Sequence, residues 1–310
     1  VKNLDEIKRK LTKSSKATRQ DRYCRIIAFV CTFIIGLLVA AIFYLVASRG
    51  LATFFENHVS AWDFFTKQDW NPGQVSKNGT PEVGALPMIV GSFSVTVLSA
   101  LLATPFAIAM ALFMTEIAPK RGQKILQPVI ELLVGIPSVV YGFVGLTIVV
   151  PVVRKLVGGT GFGILAGTIV LFIMVLPTIT SMYVDSLRSV PRFYREASLA
   201  LGATRWQTIY KVVLRASVPG LLTAIIFGMA RAFGEALAVQ MVIGNASLLP
   251  HNLISPASTL TSVLTTGMGN TVMGTLPNNA LWSLALILLL MSLAFNLIVR
   301  LIGRKGRLTK

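Results

Sequence analysis

Apolar residues in this chain run in long unbroken stretches. They do not alternate as in half-buried strands or keep to one stripe as in surface helices. Stretches at about 26–48, 87–115, 127–151, 161–184, 213–244 and 280–299 are each as long as the ~18–20 residues that span hydrocarbon. The pattern therefore predicts an all-α polytopic membrane protein with six transmembrane helices between tails 1–25 and 300–310. Pro105, Pro137, Pro177 and Pro219 fall inside the later spans. Each frees backbone groups, which a bilayer tolerates only where packing, water or a cavity satisfies them.

Composition agrees with this class: 54% of residues are hydrophobic and the mean hydropathy is +0.72, too apolar for a soluble domain of this length. The net charge of +17 would suggest nucleic acid in a soluble protein, but its distribution points elsewhere. Of 29 Lys and Arg, nine lie in the tail up to Arg25, three in 116–124, six in 185–215 and five from Arg300 onward. The opposite connections hold five, and the remaining one is Arg231. By the positive-inside rule both termini are expected in the cytoplasm of a bacterial plasma membrane, with six crossings and no nucleic-acid partner. The first span follows a basic tail with no cleavage-site pattern, and is read as a retained anchor.

Few residues suggest chemistry of their own. Cys24 and Cys31 stand alone with no metal-ligand spacing, so neither a disulfide nor a metal site is expected. The glycines of 158–163 lack the Lys-Ser/Thr of a phosphate-binding loop and read as a turn. No paired Ser/His, Asp/Asp or similar constellation marks an enzyme, and no cofactor is expected. Segment 245–279 has no charged residue, which is unusual for a water-bathed loop. It is expected to dip toward the membrane, pack on a neighbour or line an entrance.

Connection 185–212 has a different character. Pro191 opens a helix-compatible stretch that Gly202 can close in the left-handed conformation. Thr204 and Gln207 then form the capping-box pattern of a second short helix. Two exposed helices meeting at an angle suit the transmission of a push from a soluble partner.

The run REASLALGATRWQTIYKVVL resembles the coupling loop of ABC-importer permeases, with Glu196, Ala197, Ser198, Gly202 and Val212 at the recurrent positions. One departure is that Leu214 is followed by Arg215, with the proline delayed to Pro219. The stretches ELLVGIPSVVYGFVGL and RAFGEALAV narrow the resemblance to PstC-type permeases of phosphate-specific (Pst) importers. It implies a type I ABC-importer permease fold and an ATPase-coupling surface at Arg195, Glu196, Ala197, Ser198, Leu201, Gly202 and Ala203. It also implies a PstA-like second permease, a PstB-like ATPase dimer, a PstS-like extracytoplasmic phosphate-binding protein and inorganic phosphate as cargo. The chain itself would carry no ATPase site. Sulfate or molybdate importers, and an ATPase-independent anion transporter, are the competing readings.

The charged pair in the fifth span is the sharpest puzzle. Four residues apart, Arg231 and Glu235 share a helix face and can pair, and Arg231 would lie ~20 Å along the helix from Ala216. Two uses follow: an anion-binding arginine on a translocation path, or a buried ion pair fixing a subunit interface. Gly220, Ala224, Gly228, Ala232 and Ala236 recur every four residues beside it, a seam for close helix contact. In the third span Glu131, Gly135, Ser138, Gly142 and Gly145 share one helical face. Ser138 and Tyr141 offer either neutral donors to the same path or hydrogen bonds between helices.

Overall fold

The computed structural model describes residues 16–75 and 81–305. Leu4–Leu11, whose sequence is compatible with a weak amphipathic helix, and the chance glycosylation pattern Asn78-Gly79-Thr80 lie outside them. Residues up to Arg49 and residues from Gly50 onward form two separate units. Helix α1 (Lys16–Phe55) begins in the first, and from Gln20 to Tyr44 its residues are exposed.

The second unit continues through α2 (Ala61–Thr66) and the strands β1 (Trp70–Val75) and β2 (Pro81–Val83). The strands form an antiparallel hairpin that pairs Trp70 with Val83 and Asn71 with Glu82, with an irregularity before Val75. This hairpin, which the apolar pattern did not predict, is the one sheet among the described residues. Helix α3 (Leu86–Leu112) ends in a π-helical turn, and α4 (Pro119–Gly135) leads to α5 (Ser138–Val144). A π-turn joins α5 to α6 (Val150–Val157). Next come α7 (Ile164–Ser189), α8 (Arg192–Ala200) and α9 (Arg205–Thr208). A further π-turn leads into α10 (Leu214–Phe233), followed by α11 (Leu237–Ile243), α12 (Leu260–Gly267) and α13 (Leu276–Lys305). Six helical stretches among the described residues are long and apolar enough to cross a membrane.

Helix α7 is the central post, burying Leu171, Val175, Ile179, Tyr183 and Leu187 between α3 and α10. Of the expected small-residue seam, Gly220, Ala224, Gly228 and Ala232 lie on α10 and face α7, whereas Ala236 falls in the break beyond it. Ala224 and Ala232 are buried, and a Cβ at Gly228 would stand 2.6 Å from Ile179 Cγ1. A hydrogen bond of 2.9 Å between Tyr183 Oη and Ser217 Oγ closes the same interface. A second core gathers Phe64, Val83, Met88, Phe233, Leu260, Leu281 and Leu284 around the hairpin and α13.

Two stretches read as continuous spans are broken. Pro137 lacks an N–H and pushes Ile136 to extended backbone (ψ 129°), so α4 stops and α5 starts afresh. Glu131 and Gly135 therefore do not share a helix face with Ser138, Gly142 and Gly145. The second break, over Gly234–Ala236, has no proline. Glycine is a weak helix former, and a distant segment completes the interruption: the Thr261 hydroxyl donates to the Glu235 carbonyl at 2.9 Å. Pro105, Pro177 and Pro219, by contrast, sit within unbroken helices.

The charge-free segment 245–279 folds back into the body. Ser258, Thr259, Thr261 and Ser262 are buried, and Ser92 Oγ accepts the Leu260 N–H at 2.8 Å. It lacks charge because its middle is core: a buried unpaired charge costs several kcal/mol (order of magnitude), a hydrogen-bonded hydroxyl very little.

Candidate functional site

The break in the fifth span separates Arg231 from Glu235. Arg231 occupies the last turn of α10, where the helix dipole favours a cation by about 0.3–1 kcal/mol, and more where partly buried. Glu235 lies just before α11 and accepts the Ala238 N–H at 3.2 Å, at the end that favours an anion. The predicted Arg231–Glu235 ion pair does not form. Instead, Arg231 Nη1 donates to Thr178 Oγ1 on α7 at 2.7 Å. Thus each charge complements the end of a different half-helix, and the remaining guanidinium donors of the exposed Arg231 have no carboxylate partner among the described residues.

The two interrupted helices resume side by side. A Cβ on Gly142 of α5 would meet Met241 Sδ at 2.7 Å and Ala238 Cα at 3.0 Å, and one on Gly145 would meet Val242 Cγ1 at 2.7 Å. This register makes α5 and α11 parallel neighbours, in contact only because these glycines carry no side chain. Ser138, the first residue of α5, is half-buried and forms no hydrogen bond with its hydroxyl among the described residues. Tyr141 is buried, but its proton is already committed. Tyr141 Oη donates to the Leu133 carbonyl at 2.7 Å, the group that a residue-137 N–H would have satisfied in a continuous helix. Tyr141 therefore braces the proline break, and Ser138 is the freer donor of the two. Replacing Tyr141 with Phe strands that carbonyl and should lower stability by about 1–3 kcal/mol. Thermal unfolding of the full chain checks this, and an unchanged midpoint would mean that water replaces the hydroxyl.

The coupling-loop residues divide into an inner and an outer set. Gly202 adopts φ +81° between α8 and α9, and the Thr204–Gln207 capping box is complete. Ser198 Oγ is bonded to Thr208 Oγ1 at 2.9 Å, while Ala197 and Ala203 are half-buried. Arg195 points inward as well. It donates to Glu116 through Nη2 (2.6 Å) and Nε (3.2 Å), and to the carbonyls of Val190 (2.7 Å) and Leu187 (3.1 Å). Its side chain is 22% exposed and that of Glu116 10%. Glu196, Leu201 and Gly202 face outward, in company with Phe193, Tyr194, Leu199 and Trp206. Sequence reasoning missed Glu116, Thr178 and this exposed aromatic set. The one available signal was an isolated acid, Glu116, at the head of a connection otherwise basic.

Comparison with known proteins agrees with this architecture. Residues 103–307 match the family of binding-protein-dependent transport system inner membrane components. A probable ABC transporter permease protein, YqgH, from Bacillus subtilis (strain 168) is 53% identical over 284 residues, covering 91% of each chain. The phosphate transport system permease protein PstC of Pasteurella multocida (strain Pm70) is 34% identical over 271 residues, 79% of this chain and 82% of that one. Among solved structures, a bacterial ABC transporter involved in alginate import aligns with a TM-score of 0.60 at 16% identity, over 94% of this chain and 98% of that one. An inward-facing MetNI methionine ABC transporter aligns at 0.52 and 21% identity, over 70% and 96%. The fold is that of type I ABC-importer permeases, and the chain belongs to the family of binding-protein-dependent transport system inner membrane components.

Proposed function

We propose that the chain is one permease half of an ATP-driven importer of inorganic phosphate, with Arg231 as the anion-recognising residue of the path. The observation that carries this reading is a guanidinium at a helix break inside a membrane span, held by a neutral threonine and by no carboxylate. A planar guanidinium presents forked donors that match phosphate oxygens. A threonine anchor fixes its position without neutralising its charge. The Ser138 hydroxyl adds a neutral donor on the neighbouring half-helix, while Tyr141 and Glu235 hold the two breaks that shape the path. The 34% identity to a phosphate transport system permease supports phosphate as the cargo.

A PstS-like extracytoplasmic binding protein would deliver phosphate, and a PstA-like permease would supply the other half of the path. A PstB-like ATPase dimer would dock on the outward residues of α8 and α9, on the cytoplasmic side. Leu201 is 89% exposed and Trp206 64%, which suits anchors that bury apolar area in a groove. With both termini cytoplasmic, ATP binding by that dimer would move α8 and shift the path between its two openings.

The test is uptake of labelled phosphate by the reconstituted complex, with sulfate and molybdate as competitors. Arg231→Gln should retain the ATPase and its ATP hydrolysis while uptake falls about tenfold or more, the loss of at least one charge-assisted hydrogen bond. Unchanged uptake would overturn the assignment of Arg231, failed assembly would make the arginine structural, and stronger inhibition by sulfate or molybdate than by unlabelled phosphate would change the cargo.

A further inference from the structure

Behind the second helix break lies a small, half-open recess that transport of an anion does not explain. Its polar lining is Ser92 and Thr96 of α3, Glu235 at the break, and Thr259 and Thr261 from the returning charge-free segment, beside Phe233 and four further apolar side chains. Its size suits one water-sized body. The four hydroxyl residues are each at least nine-tenths buried, at 5%, 2%, 4% and 5% exposure.

The hydrogen bonds show which oxygens remain available. Thr261 Oγ1 donates to the Glu235 carbonyl, and Thr259 Oγ1 accepts the Ser262 N–H at 3.1 Å. The 3.1 Å contact between Thr259 Oγ1 and Thr261 Oγ1 then takes the Thr259 proton. Ser92 Oγ accepts the Leu260 N–H. Thr96 Oγ1 forms no hydrogen bond among the described residues, although Thr96 lines this space and is only 2% exposed. One Glu235 oxygen accepts the Ala238 N–H; the other has no partner among the described residues. The lining therefore offers hard oxygen acceptors, a carboxylate and the negative end of the α10 dipole. It includes no basic side chain, since Arg231 turns to Thr178 instead.

We propose that this space binds one dehydrated monovalent cation, Na+ being the probe of choice, with Thr96 Oγ1 and the Glu235 carboxylate as its principal ligands. A single carboxylate neutralises one positive charge. A divalent ion would leave net charge in a low-dielectric site, and Mg2+ also gives up its water reluctantly. Interrupted membrane helices place carbonyl-bearing ends and oxygen side chains around alkali ions in this manner. Bound there, the cation fastens the returning segment to the break and so fixes the end of α10 that carries Arg231. The inference does not depend on phosphate being the cargo.

The experiment is thermal unfolding of the purified membrane complex without phosphate, in NaCl, KCl and choline chloride at equal ionic strength. NaCl should raise the midpoint by about 3 °C when Na+ exceeds its Kd about tenfold. Thr96→Val, nearly isosteric, should keep the choline midpoint and lose the Na+ shift. Radiolabelled Na+ bound to the wild type should match one ion per chain and be lost in the same variant. Identical midpoints in all three salts, with no bound label, would overturn the proposal and leave the space to water. A Thr96→Val variant that keeps the full Na+ shift would overturn the assigned ligand. If that variant fails to fold, the wild-type salt series and label binding still decide the outcome.

Discussion

Arg195→Met will destabilise the chain by about 3–5 kcal/mol, the range found when one partner of a buried ion pair is removed. The pair joins the π-turn after α3 to α8, two elements far apart in sequence, and both side chains are less than a quarter exposed. Losing the guanidinium strands the Glu116 carboxylate and frees the Val190 carbonyl at the end of α7, while the Leu187 carbonyl keeps only the Val190 N–H at 3.3 Å. Since a membrane-embedded chain has few other links to α8, the loss should appear first as reduced retention of the ATPase. Combining Arg195→Met with Glu116→Gln should recover part of the loss, because the stranded charge disappears while the Val190 carbonyl stays unpaired. A double-mutant cycle on unfolding free energy measures this coupling, expected at about 0.5–3 kcal/mol. Strict additivity of the two substitutions would show that the contact carries no energy.

Gly228→Leu should prevent α10 from seating on α7. The first added carbon would lie 2.6 Å from Ile179 Cγ1 and 3.0 Å from Val175 Cγ1, and both partners are buried on the central helix. Overpacking of a tight core costs about 1–3 kcal/mol or more. Here the displaced helix also carries Arg231, so the Thr178 contact would be lost with it. Gly36→Leu is the control: a Cβ at Gly36 meets nothing within 4 Å, and leucine is the better helix former by about 1 kcal/mol. Folded yield after mild-detergent extraction should collapse for Gly228→Leu and hold for Gly36→Leu. Equal yields would mean that the seam tolerates a wider spacing.

Much of the coupling loop was legible before the structure because its signals are local. Pro191, Gly202 and the Thr204–Gln207 box act on backbone within a turn or two, and the helices begin and end where they specify. The small-residue seam was legible for a similar reason, since a repeat of four on one helix defines a face whatever packs on it. The charged pair was misread because spacing speaks for contact only on an unbroken helix. Nothing within three residues of Gly234 forces a break; Thr261, more than twenty residues on, holds it open. The proline at 137 is visible in the sequence, but the group that satisfies the carbonyl it frees is not. The bond from Tyr141 to Leu133 follows only from the three-dimensional path of the broken chain.

By itself, then, the sequence determined what depends on composition and on neighbours along the chain: a membrane-spanning all-helical class, the number of apolar spans, and the turn chemistry of the coupling loop. These follow from hydrophobic transfer and backbone sterics, which act over a few residues. Only the tertiary structure decided where Arg231 and Glu235 point, that Arg195 is an internal tie to Glu116, and that the uncharged segment 245–279 walls a half-open polar recess behind the break. Those outcomes depend on which distant groups arrive to satisfy a freed carbonyl or a buried charge. That pairing is set by packing, which no local pattern encodes.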